Sequence, residues 1–448
     1  MAVIGVVADD FTGTASSGML MAKAQVETGL FFDAQKVEEF NGTDQLQAVY
    51  VSSNSRCLPP DSAYAEVEKA VKVLEKIGVQ YFSKKIDTTL RGGIGYEIDA
   101  MLDNLGEETV AVMVTAMPQS KRVCVGGYSV IDGVILTETS VAQDVKTPVS
   151  ECYVPDLIGC QSKRPVKFLS IREVKKGQAG LMESLKKSRE QGGKILIVDA
   201  ITMEHVRTIA EACTALGWKI LAVDPGPFTM QLACSRGIAQ RGELQTEEKS
   251  MPEDNRTALI IAGSANPSTK TQMEILYKSD RENVCVSVSP HKLIAGGSQM
   301  QAEVAEVVGR IKDLLDQVKR PKSVIVETAL HGSVVDLKEE DKKYGYLPGT
   351  SSAMINEGLA LITDQILEEY GRTAIVGLML TGGDTMECVC RKIGVSCIKA
   401  IDNIVAQVDV GRILGKYEGM PVIVKGGFCG YDEIGVDIVK RLHVEGMR

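Results

Sequence analysis

Val3-Ile4-Gly5-Val6-Val7-Ala8-Asp9-Asp10-Phe11-Thr12-Gly13-Thr14-Ala15 opens the chain with an apolar run of strand length that ends in two adjacent carboxylates. A Thr/Gly turn follows, and then a small-residue segment, 16–24, whose pattern predicts a helix. A strand running through a tight turn into a helix is the repeating unit of α/β folds, where ligands gather at the carboxyl ends of parallel strands. Asp9 and Asp10 therefore point charge into a predicted ligand crevice. The competing assignment is structural: one Asp caps the helix and the other is solvated. Residue types alone leave both open.

Outward from this stretch the same alternation recurs. Apolar runs at 30–32, 48–51, 81–86, 110–115, 194–200 and 220–224 read as strands, and 61–77 has helical apolar spacing. Residues 123–155 break the rhythm with Gly126-Gly127, Asp132-Gly133 and Thr147-Pro148, which predicts a hairpin-like insertion. Residues 242–256 are almost devoid of apolar side chains and read as a linker. Strand runs restart at 257–262, 284–288, 323–327 and 375–380. The expected fold class is α/β with two domains, 1–241 and 257–448, each a mostly parallel sheet flanked by helices. The active site is expected in the inter-domain cleft.

Composition narrows the function. The 448 residues carry a net charge of −9, which argues against a broad nucleic-acid-binding face. No apolar run approaches the ~18 residues of a membrane span. The 11 Cys include no CxxC pair, and with four scattered His they show no zinc spacing. Free thiols in a reducing compartment are expected, and with no secretory signal visible, a cytoplasmic enzyme.

Four glycine turns follow strand runs: Gly13, Gly263-Ser264, Gly382-Gly383-Asp384-Thr385 and Gly426-Gly427. Glycine lets backbone N–H groups approach a phosphate, and a following helix adds its dipole. Three such turns in the second half suggest a nucleotide cradle, although neither a P-loop nor a GxGxxG fingerprint occurs. In the first half, Lys84, Lys85 and Arg91 surround Asp87 and form a candidate anion clamp. The bland alternative is an ordinary strand-to-helix connection with exposed bases.

Taken in order, several motifs resemble the four-carbon acid sugar kinases over nearly the whole chain. They are Ala8-Asp9-Asp10-Phe11-Thr12-Gly13, Lys84-Lys85-Ile86-Asp87-Thr88-Thr89-Leu90-Arg91-Gly92, the Val125-Gly126-Gly127 to Thr137-Glu138-Thr139 region, Asp144 with Pro148-Val149, Val198-Asp199-Ala200, Gly263-Ser264 and Thr381-Gly382-Gly383-Asp384-Thr385. The resemblance implies a sugar-acid-binding N-terminal domain and an ATP-binding C-terminal domain. It puts ATP at Ser264, Gly382, Gly383, Asp384, Thr385, Gly426 and Gly427, and the sugar acid against Asp9, Asp10, Lys84 or Lys85, and Arg91. Mg²⁺ is expected to bridge the ATP phosphates, with Asp384 reaching it directly or through water. Asp384 stands where Glu is more usual, and residues 425–430 depart from the usual Ser-Gly-Asn-Phe-Gly. The implied reaction is phosphorylation of the terminal hydroxyl of D-threonate or D-erythronate. Asp10 or Asp9 accepts the hydroxyl proton, and Arg91 with Lys84 or Lys85 holds the carboxylate. The alternatives are a 3-oxo-tetronate 4-kinase or a non-catalytic sugar-acid-binding protein. A homodimer is compatible with all of these.

Overall fold

The computed structural model describes residues 2–144, 147–240, 242, 254–330 and 334–448. Most of the linker expected at 242–256 lies outside the described residues. The chain divides into two compact units, Met1–Leu244 and Gln245–Arg448.

In the first unit the opening run is strand β1 (Ile4–Ala8), buried at every position. Together with β2 (Thr28–Phe31), β3 (Ala48–Ser52), β4 (Tyr81–Lys85) and β5 (Val110–Met113) it begins the main sheet. The expected insertion is a separate antiparallel sheet of β6 (Arg122–Val125), β7 (Tyr128–Ile131) and β8 (Val134–Ile135). The main sheet is completed by β9 (Val166–Leu169), β10 (Ile195–Val198) and β11 (Ile220–Asp224), in the parallel order β2-β3-β1-β4-β11-β5-β10-β9. Strands buried on both faces carry continuous aliphatic runs, as β10 does with Ile195-Leu196-Ile197-Val198. Each buried branched side chain contributes about 1.5–3 kcal/mol. From β1 the chain goes first toward β2 and then back across to β4. The order therefore reverses around β1, where open α/β sheets place their ligands.

The second unit has β12 (Thr257–Ala262), β13 (Asn283–Ser287), β14 (Ser323–Glu327), β15 (Ile375–Thr381), β16 (Val395–Val405), β17 (Val408–Gly415) and β18 (Pro421–Lys425). Its parallel part runs β13-β14-β12-β15-β18, and β17 and β16 extend it antiparallel. The order again reverses at the first strand, between β12 and β15. The β16–β17 hairpin had no counterpart in the sequence reading. Polar residues such as Asp402, Asn403 and Asp409 interrupt its apolar alternation, so periodicity alone does not mark it. Helix Pro267–Ser279 packs on helix Ile434–Gly446, and helix Thr350–Ala374 on helix Gly383–Lys392. Among the described residues, no helix is long and apolar enough to cross a membrane.

Candidate functional site

In the first unit, charge collects at the carboxyl ends of the adjacent strands β3, β1 and β4. The register Ala8↔Ser52 and Ala8↔Lys85 brings the three ends level. Asp10 is the N-cap of helix Phe11–Lys23, with Oδ1 accepting from the Gly13 N–H at 2.7 Å. The capping alternative therefore holds for Asp10. Its companion clause does not: Asp9 is 2% exposed.

Arg56, in the turn after β3, binds both carboxylates. Its Nε donates to Asp9 Oδ2 at 2.7 Å, and its Nη1 lies 2.7 Å from Asp10 Oδ2. Nη2 stands 3.6 Å from Asp87 Oδ1. In the sequence Arg56 closes a polar stretch, Ser52-Ser53-Asn54-Ser55-Arg56, that carries no motif. The available signal was its place in the loop after a buried strand beside β1, which only strand order reveals.

Asp87 and Arg91 form a forked pair, Nε to Oδ2 at 2.7 Å and Nη2 to Oδ1 at 3.1 Å. Arg91 Nη1 also donates to Asp144 at 3.1 Å, which ties this loop to the segment following the small sheet. Asp199, fully buried at the end of β10, accepts from the Gly126 and Gly127 N–H groups and fixes the β6–β7 turn. The Leu90 backbone is left-handed (φ 59°), an uncommon state for a bulky residue, and it turns Arg91 toward Asp87. Gly92 (φ 91°) lies against the Arg56 backbone, where a Cβ would come within 3.1 Å of Arg56 O. Gly92 of the Leu-Arg-Gly motif thus packs against the Arg56 turn.

The two neighbouring lysines separate. Lys84 is fully buried and paired with Glu97 at 2.9 Å, and Ser55 also donates to Glu97. Lys85, 4% exposed, sits over the first turn of helix Phe11–Lys23, where a Cβ on Gly13 would be 2.4 Å from its Nζ. Its nearest carboxylate oxygen is Asp9 Oδ1 at 4.0 Å. That oxygen is itself buried without a hydrogen-bond partner among the described residues. Burial pushes the Asp9 carboxyl up, but Arg56, Lys85 and Lys84 together pull it further down, to below its ordinary value. Asp87 is likewise held well below the carboxylate range: burial opposes it, and Arg91 and Arg56 outweigh burial.

In the second unit, three of the glycine turns meet. Gly263-Ser264, Gly382 and Gly426-Gly427 follow the adjacent strands β12, β15 and β18. A Cβ on Gly427 would lie 2.7 Å from Ser264 Oγ, and one on Gly382 3.6 Å from Ser264 Cβ. Gly382 has φ 100° and caps helix Gly383–Lys392, whose first-turn N–H groups are thereby left open. Thr385 donates to Asn356 at 2.7 Å and packs on Gly263. Asp384 is exposed in the first turn of that helix, with no ion pair among the described residues. Loop 426–431 is held from below: Thr269 donates to Gly427 O, and Gln272 to the carbonyls of Cys429, Gly430 and Tyr431.

Comparison with known proteins agrees with this division of features. Residues 4–232 match the family described as sugar-binding N-terminal domain, and residues 259–434 match the nucleotide-binding C-terminal domain. A D-erythronate kinase of Heliobacterium modesticaldum is 32% identical over 444 residues, covering 99% of this chain and 97% of that protein. A D-threonate kinase of Salmonella typhimurium is 26% identical, covering 95% of each. A solved structure from Salmonella typhimurium superposes with TM-score 0.79 at 21% identity, covering 98% of this chain and 99% of that one, which speaks for the fold alone. With both domain families matched in order, and a relative of this identity along its length, the chain belongs to the four-carbon acid sugar kinase family.

Proposed function

We propose that the protein transfers the γ-phosphoryl group of ATP to the terminal hydroxyl of D-erythronate or D-threonate, yielding the 4-phosphate and ADP. Residues 1–241 take the sugar acid and residues 257–448 take ATP, with 242–256 as the linker. The observation that carries the acceptor half is the pair Asp9 Oδ1 and Lys85 Nζ: two buried, oppositely charged groups 4.0 Å apart, neither hydrogen-bonded to the other. A hydroxy acid offers what each lacks, an O–H for the carboxylate and an oxygen for the ammonium. Both Asp10 oxygens are engaged, by Gly13 and Arg56, so Asp10 holds Arg56 and the helix, and Asp9 receives the hydroxyl.

Phosphoryl transfer through a loose transition state needs an oriented nucleophile more than a strong base. Asp9, kept ionised by Arg56, orients the hydroxyl and takes its proton as the new P–O bond forms. Of the basic residues, Lys85 has all three donors uncommitted among the described residues. Arg91 keeps donors beyond its bonds to Asp87 and Asp144, and Lys84 is consumed by Glu97. The substrate carboxylate therefore falls to Arg91 and Lys85. On the nucleotide side, Ser264, Gly382, Gly383, Thr385, Gly426 and Gly427 surround the phosphates with backbone and hydroxyl donors. Asp384 suits Mg²⁺, which prefers one or two carboxylates alongside phosphate oxygens and water. When bound, the metal neutralises phosphate charge. Eleven free cysteines fit the reducing, cytoplasmic setting expected for such an enzyme.

The test is ADP release over D- and L-erythronate, D- and L-threonate and 3-oxo-tetronates, with wild type and Asp9→Asn. D-Erythronate or D-threonate should give the highest kcat/KM, and D9N should lower kcat by about 10²–10⁴-fold with little change in ATP KM. A D9N enzyme turning over at the wild-type rate removes Asp9 from the chemistry. Absence of stimulation by every four-carbon acid refutes the substrate.

A further inference from the structure

Strand β18 ends in a lysine whose charge has no ordinary partner. Lys425 is 2% exposed. Its ammonium donates to the carbonyls of Gly426 at 2.9 Å and Gly427 at 3.4 Å, and no carboxylate among the described residues pairs with it. An ammonium has three donors, so one is left over. The register partner of Lys425 on β15 is Thr381, whose side chain lies on the same face of the sheet. Thr381 is fully buried, and its hydroxyl has no hydrogen-bond partner among the described residues. The backbone closes the same corner, with Gly382 N–H donating to Lys425 O at 3.1 Å. A buried cation without a counter-charge and a buried hydroxyl without a partner thus stand side by side between the Gly382 and Gly426 turns. Interiors tolerate an isolated charge poorly unless an opposite charge arrives. A phosphate oxygen satisfies both groups.

We propose that Lys425, with Thr381 beside it, binds the terminal phosphates of the nucleotide and is a catalytic residue of the phosphoryl transfer. This rests on the assignment of ATP to residues 257–448. In the transfer, the bond from γ-phosphorus to the acceptor oxygen forms, the bond to the ADP oxygen breaks, and the hydroxyl proton passes to Asp9. Lys425 neutralises charge on the departing group and keeps its own protons. The carbonyl bonds made by its other two donors turn the Gly426 and Gly427 oxygens toward the ammonium and away from the anion.

Burial also pushes the Lys425 ammonium down to about 8, with the Cys429 thiol acting weakly in the other direction. Among the described residues no other charged group acts on it; around it stand Thr381 on β15, Gln407 beyond Cys429, and Thr269 and Gln272 on helix Pro267–Ser279. A bound anion favours the protonated form. Nucleotide affinity is therefore full below pH 8 and falls about tenfold per pH unit above it, in a range where the phosphates are already ionised.

Calorimetric titration of the full-length chain with ATP and with adenosine, from pH 7 to 9.5, tests this on wild type, Lys425→Met and Lys425→Arg. Wild-type ATP affinity should drop about tenfold between pH 8.5 and 9.5. K425M should bind ATP at least about tenfold more weakly at pH 7, with no pH slope. K425R should bind well and without a slope, since a guanidinium does not titrate there. Adenosine should bind all three alike. ATP affinity and slope in K425M equal to wild type would overturn the lysine assignment and leave the ATP site standing. Loss of adenosine together with ATP in K425M would mean that the lysine only holds the loop, which also overturns it. A wild type that binds no ATP at any pH would refute the ATP domain itself, and the proposal with it. If K425M does not fold, the wild-type slope and its absence in K425R decide the matter alone.

Discussion

Replacing Arg56 by Met removes the guanidinium that reaches Asp9, Asp10 and Asp87 while keeping most of the side-chain volume. The Arg56 side chain is 14% exposed, and it faces the buried Asp9 carboxylate at 2.7 Å. Taking one partner from a buried pair leaves a desolvated charge and costs about 3–5 kcal/mol. For a unit of this size that lowers Tm by about 6–20 °C. The loss depends on pH, with a sign the structure determines. In the wild type Asp9 and Asp87 lie below their ordinary values, so their contribution is complete above about pH 4 and fades as pH falls further. Burial is the largest single influence on Asp9, and without Arg56 only Lys85 and Lys84 oppose it, so its carboxyl moves up from its wild-type position. The penalty is then largest at high pH and relieved as protons bind. The destabilisation should therefore be larger at pH 8 than at pH 5. The chain's single tryptophan, Trp218, packs against the core of the first unit beneath Arg189, so its fluorescence during urea unfolding reports on that unit. A loss below about 1 kcal/mol and equal at both pH values would refute a buried Arg56 network, because that is how a solvated surface pair behaves.

Two further substitutions probe the neighbouring groups. Gly13→Ala places a methyl 2.4 Å from Lys85 Nζ and 2.6 Å from Asp10 Oδ1. It should raise KM for the sugar acid roughly tenfold, equivalent to ~1.4 kcal/mol, with ATP KM unchanged; an unchanged acid KM would take Lys85 out of the clamp. Lys84→Met strands Glu97 and should cost about 3–5 kcal/mol by the Trp218 urea transition, whereas Lys84→Met combined with Glu97→Leu should recover most of it. A double variant no more stable than the single would show that the pair is not an isolated structural unit.

The alternation of aliphatic strands and helices was legible along the chain because a parallel sheet buried on both faces demands uninterrupted apolar runs. The Asp9-Asp10 pair, the basic residues around Asp87 and the glycine turns were legible too, since each is a local departure from that pattern. What stayed hidden was assignment among neighbours. Lys84 and Lys85 are adjacent in sequence and identical in type, yet β-strand alternation sends one to Glu97 and the other over Gly13. Asp9 and Asp10 divide in the same way, because a helix N-cap uses one side chain and leaves the other at the strand end.

By itself, then, the sequence determined the α/β class, the family motifs and the chemical types at the strand ends, all of which follow from local periodicity and composition. Strand order decided the rest. Arg56 reaches Asp9 across 47 positions because β3 lies beside β1, and Lys425 meets Thr381 because β18 lies beside β15. Such pairings are made by packing between distant segments, which no window along the chain contains.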